Sequence, residues 1–185
     1  VVVVLFFVQL YYYAIAYYRV FRFRLMRRRR RNEANPPISV VVTVRGENEY
    51  FLTEELPVLL SQEYNHYEVV VVYIGGDMEY YEELQNIRNN YSYMRLTKMG
   101  GNPLIYITTK QALNVGIKSA QYESLLFTTT GAVPKSKEWV TIMAKGFEYG
   151  DVVVGSAVGN YDGATLANYL KRMVDMHALR NAMAK

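Results

Sequence analysis

Apolar residues in this chain fall into two rhythms: short unbroken runs, and longer stretches where they return every three or four positions. Ile38 to Val44 (ISVVVTV) and Tyr67 to Ile74 (YEVVVVYI) are β-branched runs without alternation, which predicts strands covered on both faces. Pro37 excludes a helix before the first run, and Gly46 permits a tight turn after it. Tyr93 to Thr97, Ser124 to Thr128 and Asp151 to Val158 read as third, fourth and fifth strands. Between them the spacing is helical. Glu49 to Ser61 places Leu52, Leu56, Leu59 and Leu60 on one side, with Pro57 as a kink or an effective first turn. Glu79 to Asn89 reads as an exposed helix, and Lys110 to Ala120 as one burying Ala112, Leu113, Ile117 and Ala120. Ser136 is placed to cap a helix over Lys137 to Phe147. A last helix over Ala164 to Ala184 carries the stripe Leu166, Leu170, Met173 and His177. Strands alternate with helices, so the fold class is α/β, a mostly parallel sheet with flanking helices and right-handed crossovers.

The first 24 residues break this pattern. Val1 to Val20 is apolar and aromatic apart from Gln9 and Arg19, and about 20 helical residues at ~1.5 Å each match a bilayer core of ~30 Å. Residues 1–24 are therefore expected to form a transmembrane anchor, 25–37 a polybasic segment and linker, and 38–185 the globular domain. Charge sharpens the division. Arg19, Arg22, Arg24 and Arg27 to Arg31 are 8 of the 21 basic residues, and no acidic residue precedes Glu33. The rest of the chain holds 13 basic against 17 acidic residues, which disfavours nucleic acid as a partner of the domain. The arginine run, following the apolar stretch, orients a single-pass protein with its domain in the cytoplasm and the lipid bilayer as its first partner. Two other readings stay open: a helix buried in a larger membrane-protein assembly, and an arginine run that binds RNA or anionic lipid.

With no cysteine in the 185 residues, disulfides and thiolate metal sites are excluded, and His66 and His177 lack ligand-like spacing. Open α/β sheets bind ligands beyond the carboxyl ends of their strands, so three segments define a candidate rim. They are Val44-Arg45-Gly46-Glu47, Tyr73-Ile74-Gly75-Gly76-Asp77 and Thr128-Thr129-Thr130-Gly131. The candidate nucleotide-contacting residues are Val44, Arg45, Glu47, Ile74, Gly75, Asp77, Lys110, Thr129 and Gly131. Arg45 can meet a phosphate bidentately or pair with Glu47 or Glu49. Glu47 is a ribose or base contact or a solvated carboxylate, and Lys110 a diphosphate contact or a solvated first-turn lysine. No residue is assigned as catalytic or as a metal ligand.

PPISVVVTVRGENE, LPVLLSQEY, YEVVVVYIGGD, KQALNVGIKSA and SLLFTTTGAVPKSKEWV, in that order from Pro36 to Val158, resemble the family 2 glycosyltransferases of GT-A fold, most nearly their membrane-anchored bacterial members. The resemblance implies the donor-binding half of an enzyme that transfers a sugar from a nucleotide-diphosphate sugar with inversion, using Mg or Mn. Arg45 and Glu47 match the family's first nucleotide loop, and Gly75 the glycine after the second strand. Lys110, Ala112 and Leu113 match the helix supporting the donor site, and Pro134 and Trp139 the segment after the fourth strand. The acidic positions do not match. The family's acid pair falls at Tyr73 and Ile74, and its Asp-x-Asp at Thr129-Thr130-Gly131, so the hard oxygen ligands for the cation are absent. Asp77 is the nearest substitute, and the general base is expected beyond Lys185. The sequence thus predicts a pseudoenzyme-like member with impaired or lost transfer. The alternatives are a catalytically silent scaffold or assembly subunit and a nucleotide-sugar-binding regulatory module.

Overall fold

The two valine runs pair with each other. Ile38–Arg45 forms β1 and Tyr67–Ile74 forms β2, parallel and in register from Ile38↔Tyr67 to Arg45↔Ile74. Ser124–Thr129, β4, lies parallel on the other side of β1, and Met94–Met99, β3, on the outer side of β2. The sheet order is β3-β2-β1-β4, with all neighbours parallel. This computed structural model describes residues 2–26, 35–100, 106–148, 150–155, 157, 159 and 163–183. Val40, Val41, Val42, Val44 and Val69 to Val72 are buried, as unbroken runs require when helices cover both faces. Each such valine contributes on the order of 1.5–3 kcal/mol of burial.

The helices follow from local chemistry. Met78–Asn90, α3, starts on the Asp77 side chain, which accepts the Tyr80 N–H at 2.7 Å. Thr109–Ser119, α4, starts on a reciprocal box in which Thr108 Oγ1 accepts the Gln111 N–H and Gln111 Oε1 accepts the Thr108 N–H. α4 lies on the sheet through Ala112 and Gly116. A Cβ at Gly116 would run into Val41 Cγ1 and stand 3.2 Å from Val72 Cγ2. At the amino ends of the strands, Glu68 ties the sheet to the turn before β4. Its Oε1 accepts from Ser39 Oγ at 2.6 Å and the Gln121 N–H at 2.5 Å, and its Oε2 pairs with Arg95 Nε at 2.7 Å.

Several elements differ from the sequence reading. Glu49 to Ser61 is not one helix: Phe51–Glu55 is a π-helical turn, closed by the Leu56 N–H on Phe51 O, and Leu56–Leu60 is α2. Pro57, having no N–H to donate, sits in the first turn of α2, where none is needed. Ser136 does not cap the next helix. Trp139–Ala144 is α5, its start held by Gln62, just past the end of α2, which accepts the Val140 N–H at 3.2 Å and donates to Ser136 O at 3.2 Å. The helix expected to reach Phe147 ends at Ala144 and continues as a 3₁₀ turn, Lys145–Glu148. Ile117 is exposed, because the close approach is made by Gly116, which an apolar count passes over. The expected strand Asp151 to Val158 is irregular over 151–155, with Val152 82% exposed; Ser156 and Val158 lie outside the described residues. A β-branched run becomes a strand only where a neighbour offers it an edge. Among the described residues the sheet therefore has four strands and not five.

The chain divides into two units, Glu33–Lys145, which holds the sheet, and Val1–Asn32 with Gly146–Lys185. In the second unit the amino-terminal helix α1, Val2–Met26, contacts α6, Leu166–Met183. The stripe Leu166, Leu170, Met173 and His177 is exposed rather than buried. The transmembrane anchor expected over residues 1–24 falls on α1. Among the described residues no helix is long and apolar enough to cross a membrane. The arginine run 27–31 lies outside the described residues.

The contact at Gly116 generates a test. Gly116→Ala is expected to lower unfolding stability by about 1–3 kcal/mol, as overpacking does. Gly76→Ala, where an added Cβ meets nothing within 4 Å, is expected to stay within about 0.5 kcal/mol of wild type. Urea unfolding of both variants checks this; equal effects would remove Gly116 as the contact that seats α4.

Candidate functional site

The parallel register brings the three sequence-predicted segments together. β1 lies between β2 and β4, Arg45 is level with Ile74, and Thr43 is level with Thr129. Gly46 turns the chain with φ +65° and donates its N–H to Ile74 O at 2.9 Å. Gly75 donates to Met99 O at 3.1 Å, which closes the rim towards β3. The carboxyl ends of four parallel strands thus open on one side, with the amino ends of α3 and α4 beside them.

Each candidate residue has a distinct place. Arg45 Nη2 donates to Ile107 O at 2.5 Å, and its guanidinium stands 5.2 Å from the centroid of the exposed Tyr106 ring. Among the described residues it pairs with neither Glu47 nor Glu49, so that reading of Arg45 is replaced by an arginine held from the far side of its own strand end. Glu47 and Lys110 are exposed. Asp77 spends Oδ1 on the cap of α3. Val44 and Ile74 turn their side chains into the core and meet the rim through backbone only, with the Ile74 carbonyl already taken by Gly46. Thr129 is exposed, and Gly131 sits at φ +90°, a conformation that favours glycine.

Tyr73 is fully buried between Tyr80 and Tyr81, with ring centroids 5.3 and 6.1 Å away. Burial pushes its hydroxyl above the usual tyrosine range, and the nearby Asp77 and Glu47 charges push the same way. The ring also explains Gly75, since a Cβ there would collide with the Tyr73 hydroxyl and approach Cζ to 2.6 Å. Aromatic packing therefore lies directly beneath the turn that follows β2.

One site residue escaped the sequence reading. Glu55, from the π-helical turn, is 2% exposed, and its Oε1 accepts the Gly131 N–H at 2.5 Å. It pins the end of β4 from the neighbouring element. Burial raises its carboxyl above the ordinary value, partly offset by the Gly131 hydrogen bond. Its signal was the i, i+4 series Phe51, Glu55, Leu59, which puts a carboxylate on the buried side of the helix.

These groups do not fit a divalent cation. The end of β4 presents threonine hydroxyls, Glu55 is buried and engaged with Gly131, and Asp77 caps α3. Among the described residues, no three His, Cys, Asp or Glu side chains gather into a metal-binding group.

No protein-family model matches the sequence, and no characterised protein is significantly similar to it in sequence. Among solved structures the chain is similar to the mannosyltransferase PcManGT from Pyrobaculum calidifontis in complex with GDP-Man and Mn2+. The TM-score is 0.51 at 17% identity, covering 74% of this chain and 40% of that one. It is also similar to S. aureus TarS 1-349, with TM-score 0.48, 24% identity, and 58% and 31% of the two chains covered. For that fragment in complex with UDP-GlcNAc the TM-score is 0.47 at 24% identity, over 58% and 30%. The chain spans less than half the length of each of these proteins. The likeness to the mannosyltransferase is one of fold, a parallel α/β sheet flanked by helices.

Glu55 titrates with a sign that can be read. Because its folded carboxyl is raised, the folded state holds the proton to higher pH than the unfolded state. Its contribution is complete below the unfolded carboxylate range and is lost as pH rises through the raised value. Glu55→Gln retains an oxygen acceptor for Gly131 and removes this loss. The stability of Glu55→Gln relative to wild type is therefore expected to increase from pH 4 to pH 7.5 in urea unfolding, and a pH-independent difference would contradict the assignment. Glu55→Ala, which leaves the Gly131 N–H without its acceptor, is expected to cost about 1–3 kcal/mol.

Proposed function

We propose that this chain is the donor-binding half of a glycosyltransferase-like protein, binding a nucleotide-diphosphate sugar along the rim of β1, β2 and β4 with impaired or lost transfer chemistry. The observation that carries the reading is the convergence of these strand ends under one preset cation, Arg45, fixed by Ile107 O and Tyr106. The fold shared with a mannosyltransferase solved with GDP-Man supports it.

In this reading Arg45 and Lys110 meet the diphosphate, and Glu47 meets the ribose or base. Backbone at Val44, Ile74, Gly75 and Gly131 and the Thr129 hydroxyl line the floor, with Asp77 holding α3 in place. Arg45 is suited to the task because one N–H is already committed to Ile107, so the guanidinium plane is oriented before a phosphate arrives. Threonines in place of carboxylates at the end of β4 favour binding without metal-assisted departure of the nucleotide. That same observation favours, as the second reading, a silent assembly subunit or regulatory module.

We further propose that the protein works at the cytoplasmic face of a membrane, held by α1 and the arginine run. Val2 to Val8 of α1 are exposed, and no acidic residue precedes Glu33. Flotation with vesicles tests this. Retention on vesicles containing phosphatidylserine, released by salt, is expected; no association with either neutral or anionic vesicles would count against it.

Calorimetric titration of the full chain with UDP, GDP and their sugars, with manganese and again with a chelator, tests the main reading. Chelator-insensitive binding is expected, weakened at least tenfold by Arg45→Ala, the loss of about 1.4 kcal/mol from one charge-assisted hydrogen bond. Manganese-dependent binding would return an active transferase to the front. Absence of binding by every nucleotide would leave the scaffold reading.

A further inference from the structure

We infer that the outer edge of β3 is a docking strand for an extended acidic polypeptide segment, which adds to the sheet beside β3. Among the described residues β3 stands last in the sheet and bonds only to β2. The Val69 N–H donates to Tyr93 O at 2.9 Å and the Gly75 N–H to Met99 O at 3.1 Å. By the alternation of a parallel ladder, Arg95 and Thr97 turn their backbone groups towards β2, while Leu96 and Lys98 turn theirs outwards. Those outward N–H and C=O groups form an open template.

The edge is also grooved and charged. A cleft of about 660 Å³ wraps the first half of β3, lined by Arg88 and Tyr91 from the end of α3, by Arg95, Leu96 and Thr97, and by Lys118 from the end of α4. The two helices meet opposite faces of the strand. Lys98 Nζ lies 3.0 Å from Met78 Sδ of α3, whereas Thr97 Oγ1 lies 3.2 Å from Ser119 Oγ of α4. Among the described residues no carboxylate lines the cleft. Arg95 is held rigid by Glu68, by Ser119 O at 3.3 Å and by Gln121 Oε1 at 2.9 Å, yet its side chain remains 48% exposed.

A cation in the last turn of a helix ordinarily serves the helix dipole, and that accounts for Arg88 and Lys118 one at a time. It does not account for their convergence with Arg95 on an unpaired strand edge. Charge then selects the occupant. A second copy of β3 would bring Arg95 and Lys98 against Arg95 and Lys98, so the edge is protected from its own kind. A polynucleotide would use only the donors. An extended acidic peptide matches the alternating N–H and C=O groups and the cations together. This inference is independent of the nucleotide reading.

The test uses the full chain and a fluorescent acidic nonapeptide alternating Glu with Val and Thr, with its Lys-for-Glu counterpart as control. The acidic peptide is expected to bind, to lose at least tenfold in affinity on Arg88→Glu with Lys118→Glu, and to slow amide exchange at Leu96 and Lys98. Leu96→Pro, which removes one outward N–H, is expected to abolish binding; if that variant fails to fold, the exchange measurement on wild type still decides. No binding would overturn the inference. So would binding without protection of these two amides, equal binding by an oligonucleotide, or their protection by self-association alone.

Discussion

The seating of α4 at Gly116 is the contact on which the rest of the domain depends. A helix can lie this near Val41 and Val72 only where it has no side chain, and the position of α4 then follows. Its amino end carries Thr108 and, just before it, Ile107, whose carbonyl receives Arg45 and whose Cδ1 lies 3.3 Å from where a Cβ on Gly100 would stand. One missing methyl group in the core therefore sets the orientation of a cation at the rim. The buried valines contribute more free energy, but they would tolerate a shifted helix; Gly116 does not.

A second theme is what the carboxylates are used for. Asp77 caps a helix, Glu55 pins the end of β4, and Glu68 joins two strands to the turn before β4. Each is near a strand end, and each is satisfied by protein hydrogen bonds rather than held open. The rim presents Arg45, Lys98 and Lys110, facing solvent or aromatic rings, beside the exposed Glu47. Carboxylates engaged in this way are not free to hold a divalent cation.

Much of this architecture was legible in the sequence. Unbroken β-branched runs can only be strands covered on both faces, so β1 and β2 and their shared direction followed, and with them the meeting of the three loops. What stayed hidden depended on partners distant in sequence. Asp151 to Val158 has strand composition but no edge to join among the described residues. Ser136 looks like a cap, but Gln62, 74 positions earlier, does the work. Gly116 is silent in any apolar pattern and yet marks the buried face. At the site, Val44 and Ile74 sit at strand ends as expected, but both faces of the sheet are covered, so their side chains are buried. Glu55 lies outside the stripe Leu52, Leu56, Leu59 and Leu60, and only the series Phe51, Glu55, Leu59 marks it as buried.

The interlock of Tyr73 and Gly75 bears on how such a site can change over time. The ring fills the core beneath the turn, and the glycine exists because the ring is there. A carboxylate placed at position 73 would inherit an aromatic-sized void and a desolvated charge, while Tyr80 and Tyr81 lost their stacking partner. No single replacement leads from this packing to an acidic turn without passing through a destabilised protein. The aromatic floor acts as a ratchet: with the tyrosine stack in place, conversion to an acidic turn requires several simultaneous substitutions, and drift on the outer surface becomes the easier route to new behaviour.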